Sequence, residues 1–184
     1  MRPVLNRALA LALALPAMGC GGVLTRIDID GSAQTEIVGA SLVEVLAEDL
    51  GFGELVSMDL TQADELQNQG VEPGDIKEAR LVSFELEAIE PADADLSFLD
   101  AMTLLVSAPG LPEEVVASAP GFPQGEAVVV FDLEEVDLTE YIVSESMTLT
   151  TDVSGQRPDR ATRIEARYVV EVGVTVKGAT RKRD

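Results

Sequence analysis

The sequence predicts a mainly β protein, an antiparallel β-sandwich of seven or eight strands with one or two short helices. Apolar and polar residues alternate along several stretches, as on strands that bury one face. Turns containing Pro and Gly separate these stretches at short intervals. No internal repeat of roughly 20–50 residues is present, so a single sandwich is expected rather than a repeat array.

The N-terminal segment predicts a secretory signal peptide covering residues 1–19. Arg2 and Arg7 give a short positive region, residues 8–15 are apolar and uncharged, and residues 17–19 bring small side chains to a cleavage site. The apolar run is shorter than the roughly 20 residues that a permanent transmembrane helix needs. We therefore expect an exported protein.

Cys20, the one cysteine of the chain, directly follows the predicted cleavage site, so no intrachain disulfide can form. Residues 17–20, Ala-Met-Gly-Cys, resemble the bacterial lipoprotein box, although Ala17 stands where that family usually has Leu. The resemblance implies a diacylglycerol on Cys20, residues 20–23 as a lipidated tether, and a membrane anchor. Because no Asp follows the cysteine, it also implies the outer membrane. The alternative is an ordinary signal peptide that leaves Cys20 near a soluble N-terminus.

The charge of the chain restricts its partners. It has 33 acidic residues against 13 basic ones and no histidine, for a formal net charge of -20. Such a surface repels phosphate backbones, so no nucleic-acid partner is expected, and the body does not dock on anionic lipid. Partners that suit this charge are cations or basic proteins. The alternative is that the charge has no partner and only keeps the protein soluble.

Residues 24–184 form the predicted β-sandwich domain, which opens with a strand over residues 24–38. Gly31 in this strand indicates a bulge. Its predicted inward side chains are Ile27, Ile29, Ala33, Thr35 and Ile37. Residues 41–69 are ambiguous: 41–50 fit a helix, 55–60 a short strand, and Thr61 with Asp64 and Glu65 could cap a helical turn through Gln69.

The β pattern is stronger after Lys77. The predicted inward residues of the next strand are Val82, Phe84, Leu86 and Ala88. Further elements are a loop entering a buried strand over 96–108, a short strand over 114–118, one β-branched strand over 128–133, and one helical turn over 138–143.

Two alternating strands end the domain. The first has Met147, Leu149, Thr151 and Val153 on one side. The second, over residues 163–176, has the clearest alternation in the chain and is expected at the centre of the core. Its predicted inward side chains are Ile164, Ala166, Tyr168, Val170, Val172, Val174 and Val176.

The body from Asp95 to Val176 resembles a class of uncharacterised bacterial lipoproteins with a β-sandwich domain. The similar features are residues 95–100 before one strand, residues 137–141 after another, and the long last strand. The resemblance implies the fold and no known activity.

The composition excludes several kinds of active site. Without histidine, neither a Ser-His-Asp nor a Cys-His site can form, and the usual zinc sites lose their ligands. No Gly-rich phosphate loop of a standard type is present. Aromatic residues are 4% of the chain and tryptophan is absent, which disfavours a sugar site. We therefore expect no catalytic residue, no cofactor and no metal.

Clustered carboxylates are the remaining candidates for chemistry, because calcium prefers such oxygen ligands. The three clusters are Asp28 with Asp30, then Asp93, Asp95 and Asp100, and finally Glu134, Glu135 and Asp137. None has the spacing of an EF-hand loop, and solvated strand faces and turns explain each of them.

Two hypotheses about function follow. The first is a non-catalytic binding or structural module, anchored in the envelope through the lipid on Cys20, that presents a surface or sheet edge to an envelope protein. The alternative is a carboxylate-dependent hydrolase of the envelope. Acids spread over sheet faces favour the first, and acids that converge in one pocket favour the second.

Overall fold

The computed structural model describes residues 25–39, 64–144 and 146–175. These residues form two antiparallel four-stranded sheets, with strand orders β1-β8-β2-β5 and β6-β4-β3-β7. The sequence-based prediction of an antiparallel sandwich is confirmed. The elements are β1 (Thr25–Ile37), α1 (Asp64–Gln69), β2 (Ile76–Glu90), β3 (Leu99–Ser107), β4 (Glu114–Ala119), β5 (Val128–Val130), β6 (Asp132–Leu133), α2 (Thr139–Ile142), β7 (Thr148–Gly155) and β8 (Thr162–Val174).

β8 lies between β1 and β2 in the first sheet. It pairs with β1 along its whole length, from Thr25 opposite Val174 to Ile37 opposite Thr162. Its alternate side chains enter the core, and Ile164 and Val172 are fully buried. The last predicted strand is therefore central, although it ends at Val174 and position 176 lies outside the described residues.

The predicted bulge at Gly31 is wrong. β1 and β8 keep one register through this position, where Gly31 faces Tyr168. A Cβ at Gly31 would lie 2.0 Å from both Cζ and Oη of Tyr168. The glycine therefore makes room for the tyrosine ring, which packs against the core as predicted and is half-buried.

Val82 does not point into the core as predicted. The pairing of β2 with β8 shifts between Leu81 and Ser83, so one extra residue is inserted into β2 at Val82. The side chain of Val82 is consequently 39% exposed, while Phe84, Leu86 and the residues that follow keep the predicted alternation.

The single strand predicted over residues 128–133 is two strands in different sheets. β5 pairs with β2 in the first sheet and β6 pairs with β4 in the second. Phe131 stands at the crossing, buried in edge-to-face contact with Phe84 at 4.8 Å and Phe122 at 6.2 Å between ring centroids. Its aromatic contacts hold the chain where it passes from one sheet to the other.

Both predicted helical turns exist, as α1 and α2. The helix and strand considered for residues 41–60 lie outside the described residues. The strand predicted over 96–108 begins at Leu99, after a turn closed by the amide of Leu99 donating to the carbonyl of Leu96 at 3.0 Å. The described residues contain no helix that is long and apolar enough to cross a membrane.

Candidate binding surface

The structure keeps the three predicted acidic clusters apart. Asp28 and Asp30 are exposed on the outer face of β1. In the second cluster, Asp93 and Asp95 lie in the loop between β2 and β3 and Asp100 lies at the start of β3; the third cluster lies between β6 and α2. In the part of the chain that the structure describes, no group of three or more Cys, Asp or Glu side chains is arranged to hold a metal ion. Cys20, the predicted lipidation site, lies outside that part.

The second cluster lines a polar pocket of about 350 Å³ at one end of the sandwich. Asp93, Asp95 and Asp100 share this pocket with Asp159, Arg157, Arg160 and several neutral residues. Asp93 is already paired with Arg160, whose guanidinium nitrogen lies 3.0 Å from its carboxylate oxygen. Both side chains are more than half exposed, so this pair contributes little to stability.

Asp95 has a structural role in the same loop. One carboxylate oxygen accepts hydrogen bonds from the amide and the hydroxyl of Ser97, at 3.1 and 2.7 Å. The other accepts from the amide of Gly125 at 2.6 Å and so joins two loops 30 residues apart. The Ser97 hydroxyl, followed by the Gly125 and Ser97 amides, lowers the pKa of Asp95 below its ordinary value. A general acid requires the opposite shift.

The third cluster lines a groove of about 640 Å³ beside β2. Glu134, Glu135 and Asp137 form one wall, and residues of β2 that include Leu81 and Val82 form the other. Asp137 accepts a hydrogen bond from the amide of Thr139 at 2.9 Å and another from its hydroxyl, which closes a turn just before α2. Glu78 and Glu171 also line the groove and are paired with Arg26 and Arg80, and Glu134 and Glu135 extend this acidic lining.

Arg167 organises the charges on the outer face of the first sheet. Its Nε donates to Glu85 at 2.6 Å, one Nη donates to Glu165 at 2.9 Å, and the other Nη donates to Glu87. Glu85 and then Glu87 raise the pKa of Arg167 further, so the guanidinium stays protonated at every accessible pH. One cation thus holds three neighbouring carboxylates on β2 and β8.

The same pattern continues along β8. Arg80 and Arg26 both approach Glu171, at 2.8 and 3.4 Å. Nearer the other end, Arg163 lies between Glu90 at 3.1 Å and Glu36 at 3.7 Å. Four of the six arginines in the described residues, Arg26, Arg80, Arg163 and Arg167, are used in this way, so the acids of the central strands are spread over a sheet face in ion pairs.

Among the described residues, β5 is the last strand of the first sheet. There it pairs with β2 on one side only, through Glu85, Leu86 and Glu87. Val128 is 39% and Val130 is 69% exposed, and both are among the few large apolar side chains exposed in the described residues. We call Val128, Val129 and Val130 the valine edge.

In the described part of the chain, β7 is the last strand of the second sheet. It pairs with β3 on one side, with Thr148 opposite Ser107 at one end and Gly155 opposite Leu99 at the other. Its exposed side chains are polar, with Asp152 as the one charge. β5 is therefore an apolar edge of the first sheet and β7 is a polar edge of the second, while β1 and β6 end the opposite sides of these sheets.

The valine edge was not foreseen from the sequence. Residues 128–130 are strongly β-forming, and such a run predicts a buried strand as readily as an edge strand. The absence of any charge in the run is the one signal that could have drawn attention to it.

Comparison of the chain with protein-family models, with curated proteins and with solved structures gives no match. The argument for function therefore depends on the surfaces described above.

Proposed function

We propose that this chain is a non-catalytic binding module of the bacterial cell envelope, exported by residues 1–19 and anchored through a lipid on Cys20, in the outer membrane. The lipoprotein-box resemblance supports the anchor. The strand edges and the acidic surface support binding, because an exposed edge offers unpaired backbone groups to an added strand.

The observation that carries the binding role is the placement of the acids. The three clusters lie on separate parts of the molecule, and many carboxylates are already engaged by arginines, hydroxyls or backbone amides. Groups held in this way contribute to structure and surface charge, whereas hydrolysis needs an acid and a base poised at one reacting bond.

The anchor is tested with Cys20→Ser in the full chain. Acyl chains hold a protein on a bilayer by burying CH₂ groups worth about 0.8 kcal/mol each. We expect the wild type to pellet with membranes after a high-salt wash and the serine variant to remain in the supernatant. Serine variants that still pelleted would contradict lipid anchoring at this position.

The binding role is tested by photo-crosslinking in the native envelope. A photoreactive amino acid replaces Val130 on the valine edge, Asp152 on the β7 edge, or Arg80 on the exposed outer face of the inner strand β2. We expect a specific protein crosslink from at least one edge position and none from position 80. A chain that crosslinks at none of these positions would not be a binding module of this kind.

A carboxylate-dependent hydrolase remains the second candidate because four aspartates line the pocket that contains Asp95. It predicts that Asp93→Asn or Asp100→Asn abolishes hydrolysis of an envelope substrate while the domain stays folded. We expect the purified chain to hydrolyse neither glycoside nor ester reporters, and these variants to behave as the wild type. Turnover that either substitution removes would favour the hydrolase.

A further inference from the structure

The valine edge offers backbone hydrogen-bonding groups outward. The carbonyl of Ala127 accepts from the amide of Ala88 at 2.8 Å, and the amide of Phe131 donates to the carbonyl of Phe84 at 3.0 Å. Residues 127 and 131 thus direct their backbone groups towards β2. Because this direction alternates along a strand, Val128 and Val130 direct theirs away from the sheet.

Apolar side chains accompany those backbone groups. Val128 and Val130 lie opposite Glu87 and Glu85 in β2 and share the outer face with them. An edge strand that is uncharged and rich in valine is a favourable template for an added strand, and many proteins prevent such additions with a lysine or a proline. The valine edge has neither.

Acidic residues flank the valines on both sides. Glu126 precedes them and Asp132 follows them, both exposed, and Glu134 continues the same alternation. An added strand would therefore contact apolar side chains at its centre and carboxylates towards its ends. Lysine or arginine at those ends would complement the surface.

A second copy of this chain fits the valine edge poorly. In the antiparallel register that pairs all three valines with those of a copy, Val129 meets its own equivalent and Glu126 lies opposite Asp132. Like charges directly opposite each other destabilise a strand pair. Each copy also has a net charge of -20, which opposes association in general.

We propose that the valine edge binds an extended segment of a cationic partner protein, with apolar β-forming residues at the centre and lysine or arginine at the ends, which adds to the first sheet as a fifth strand beside β5. The inference rests on the binding role proposed above and specifies where and what the module binds. Envelope crosslinks at Asp152 and none at Val130 would support a binding role for the domain and contradict the assignment of that role to the valine edge.

The test measures binding of labelled peptides to the full chain in detergent. One probe alternates valine and threonine between flanking lysines, and a matched probe has glutamates in place of the lysines. We expect the lysine probe to bind at least about tenfold more tightly, with a difference that shrinks as salt is raised. Equal binding of the two probes would overturn the charge assignment.

Val130→Pro tests the edge itself. The amide that this change removes points away from β2, so the ladder within the sheet is retained. We expect at least about tenfold weaker binding of the lysine probe, whereas Val130→Thr keeps the amide and should stay within about twofold of wild type. Unchanged affinity in a folded proline variant would overturn the proposal.

Two further measurements cover the remaining outcomes. A lysine probe in which alternate residues are N-methylated lacks the backbone amides that would donate to β5. It should not bind the wild-type chain, and it tests strand addition without any substitution in the protein. A dimer of the full chain that Val130→Pro converts to monomer would overturn the proposal in favour of a second copy.

Discussion

Gly31 and Tyr168 face each other across β1 and β8, in a row that continues to Phe84 on β2. The tyrosine ring occupies the space where a side chain at position 31 would begin. The glycine is therefore needed for close packing at a point where the backbone pairing is regular, and a bulge is not involved.

Gly31→Ala should lower the free energy of unfolding by about 1–3 kcal/mol, because the new methyl group overlaps the ring of Tyr168. In the double variant with Tyr168→Val the ring is absent, so the loss should be smaller than the sum of the two single losses. Denaturant unfolding of the four chains measures this coupling. Ser32→Ala, on the exposed side of the same strand, is the control with an expected effect near zero.

If the losses of the two single variants simply added, the methyl group at position 31 and the Tyr168 ring would not be coupled. That result would contradict the packing role of Gly31.

Asp95 makes stability depend on pH. Its pKa is lowered in the folded state, so its contribution is complete above the unfolded pKa of about 3.9 and is lost as the pH falls through the folded value. The difference in unfolding free energy between wild type and Asp95→Ala should be constant from about pH 7 to 5 and should decrease as the pH falls below the unfolded pKa of about 3.9. Chemical unfolding at several pH values measures it.

Asp93→Ala is the matched control in the same loop. Its exposed pair with Arg160 should contribute about 0–1 kcal/mol. A difference for Asp95→Ala that did not decrease as the pH fell below about 4, or that was no larger than the one for Asp93→Ala, would contradict the structural role of Asp95.

At the scale of the element, β8 and β5 show that identical valines have different roles. Val172 is fully buried on the central strand, and Val130 is 69% exposed on the edge strand. Burial depends on the position of the strand in the sheet rather than on the residue type.

Val172→Asp should unfold the domain, because it buries a carboxylate without a partner. Val130→Asp should leave the melting temperature within a few degrees of wild type, since the new carboxylate remains in water. Circular dichroism during heating measures both. If the Val172 variant melted like the wild type, β8 would not be at the centre of the core.

The strands with strict alternation, β1, β7 and β8, were predictable from sequence because one face of each meets the core. The crossing at Phe131 was not. Periodicity indicates which side chains face inward, but the sheet to which a strand belongs depends on tertiary contacts, such as those of Phe131 with Phe122 and with Phe84, which is far away in the chain. The bulge at Val82 was missed because Val82 itself fits the alternating pattern.

The candidate surface was less predictable than the fold. The acidic clusters were evident in the sequence, yet their separation and their hydrogen-bond partners follow from tertiary structure. The valine edge depends on strand order, which places β5 at the end of its sheet. No local pattern in residues 128–130 carries that information.

At the scale of the whole molecule, net charge governs the response to cations. Calcium at millimolar concentration should raise the melting temperature slightly, by screening a net charge of -20, and sodium at matched ionic strength should do most of the same. A specific site would add about 2.7 kcal/mol at 100 times its dissociation constant. A calcium-specific shift of several degrees, lost on changing Asp93 and Asp95 or Glu134 and Glu135 to Ala, would contradict this expectation.

The pairing of β1 with β8 affects the order in which the protein can fold. Gln34 and Glu165, 131 positions apart, share a hydrogen bond of 2.8 Å on these neighbouring strands. Closing so long a loop is slow, and β1 has no partner in the sheet until the last strand has been synthesised. The first sheet therefore cannot be completed until β8 has been synthesised, and before that point β2 and β5 are its only neighbouring strands among the described residues.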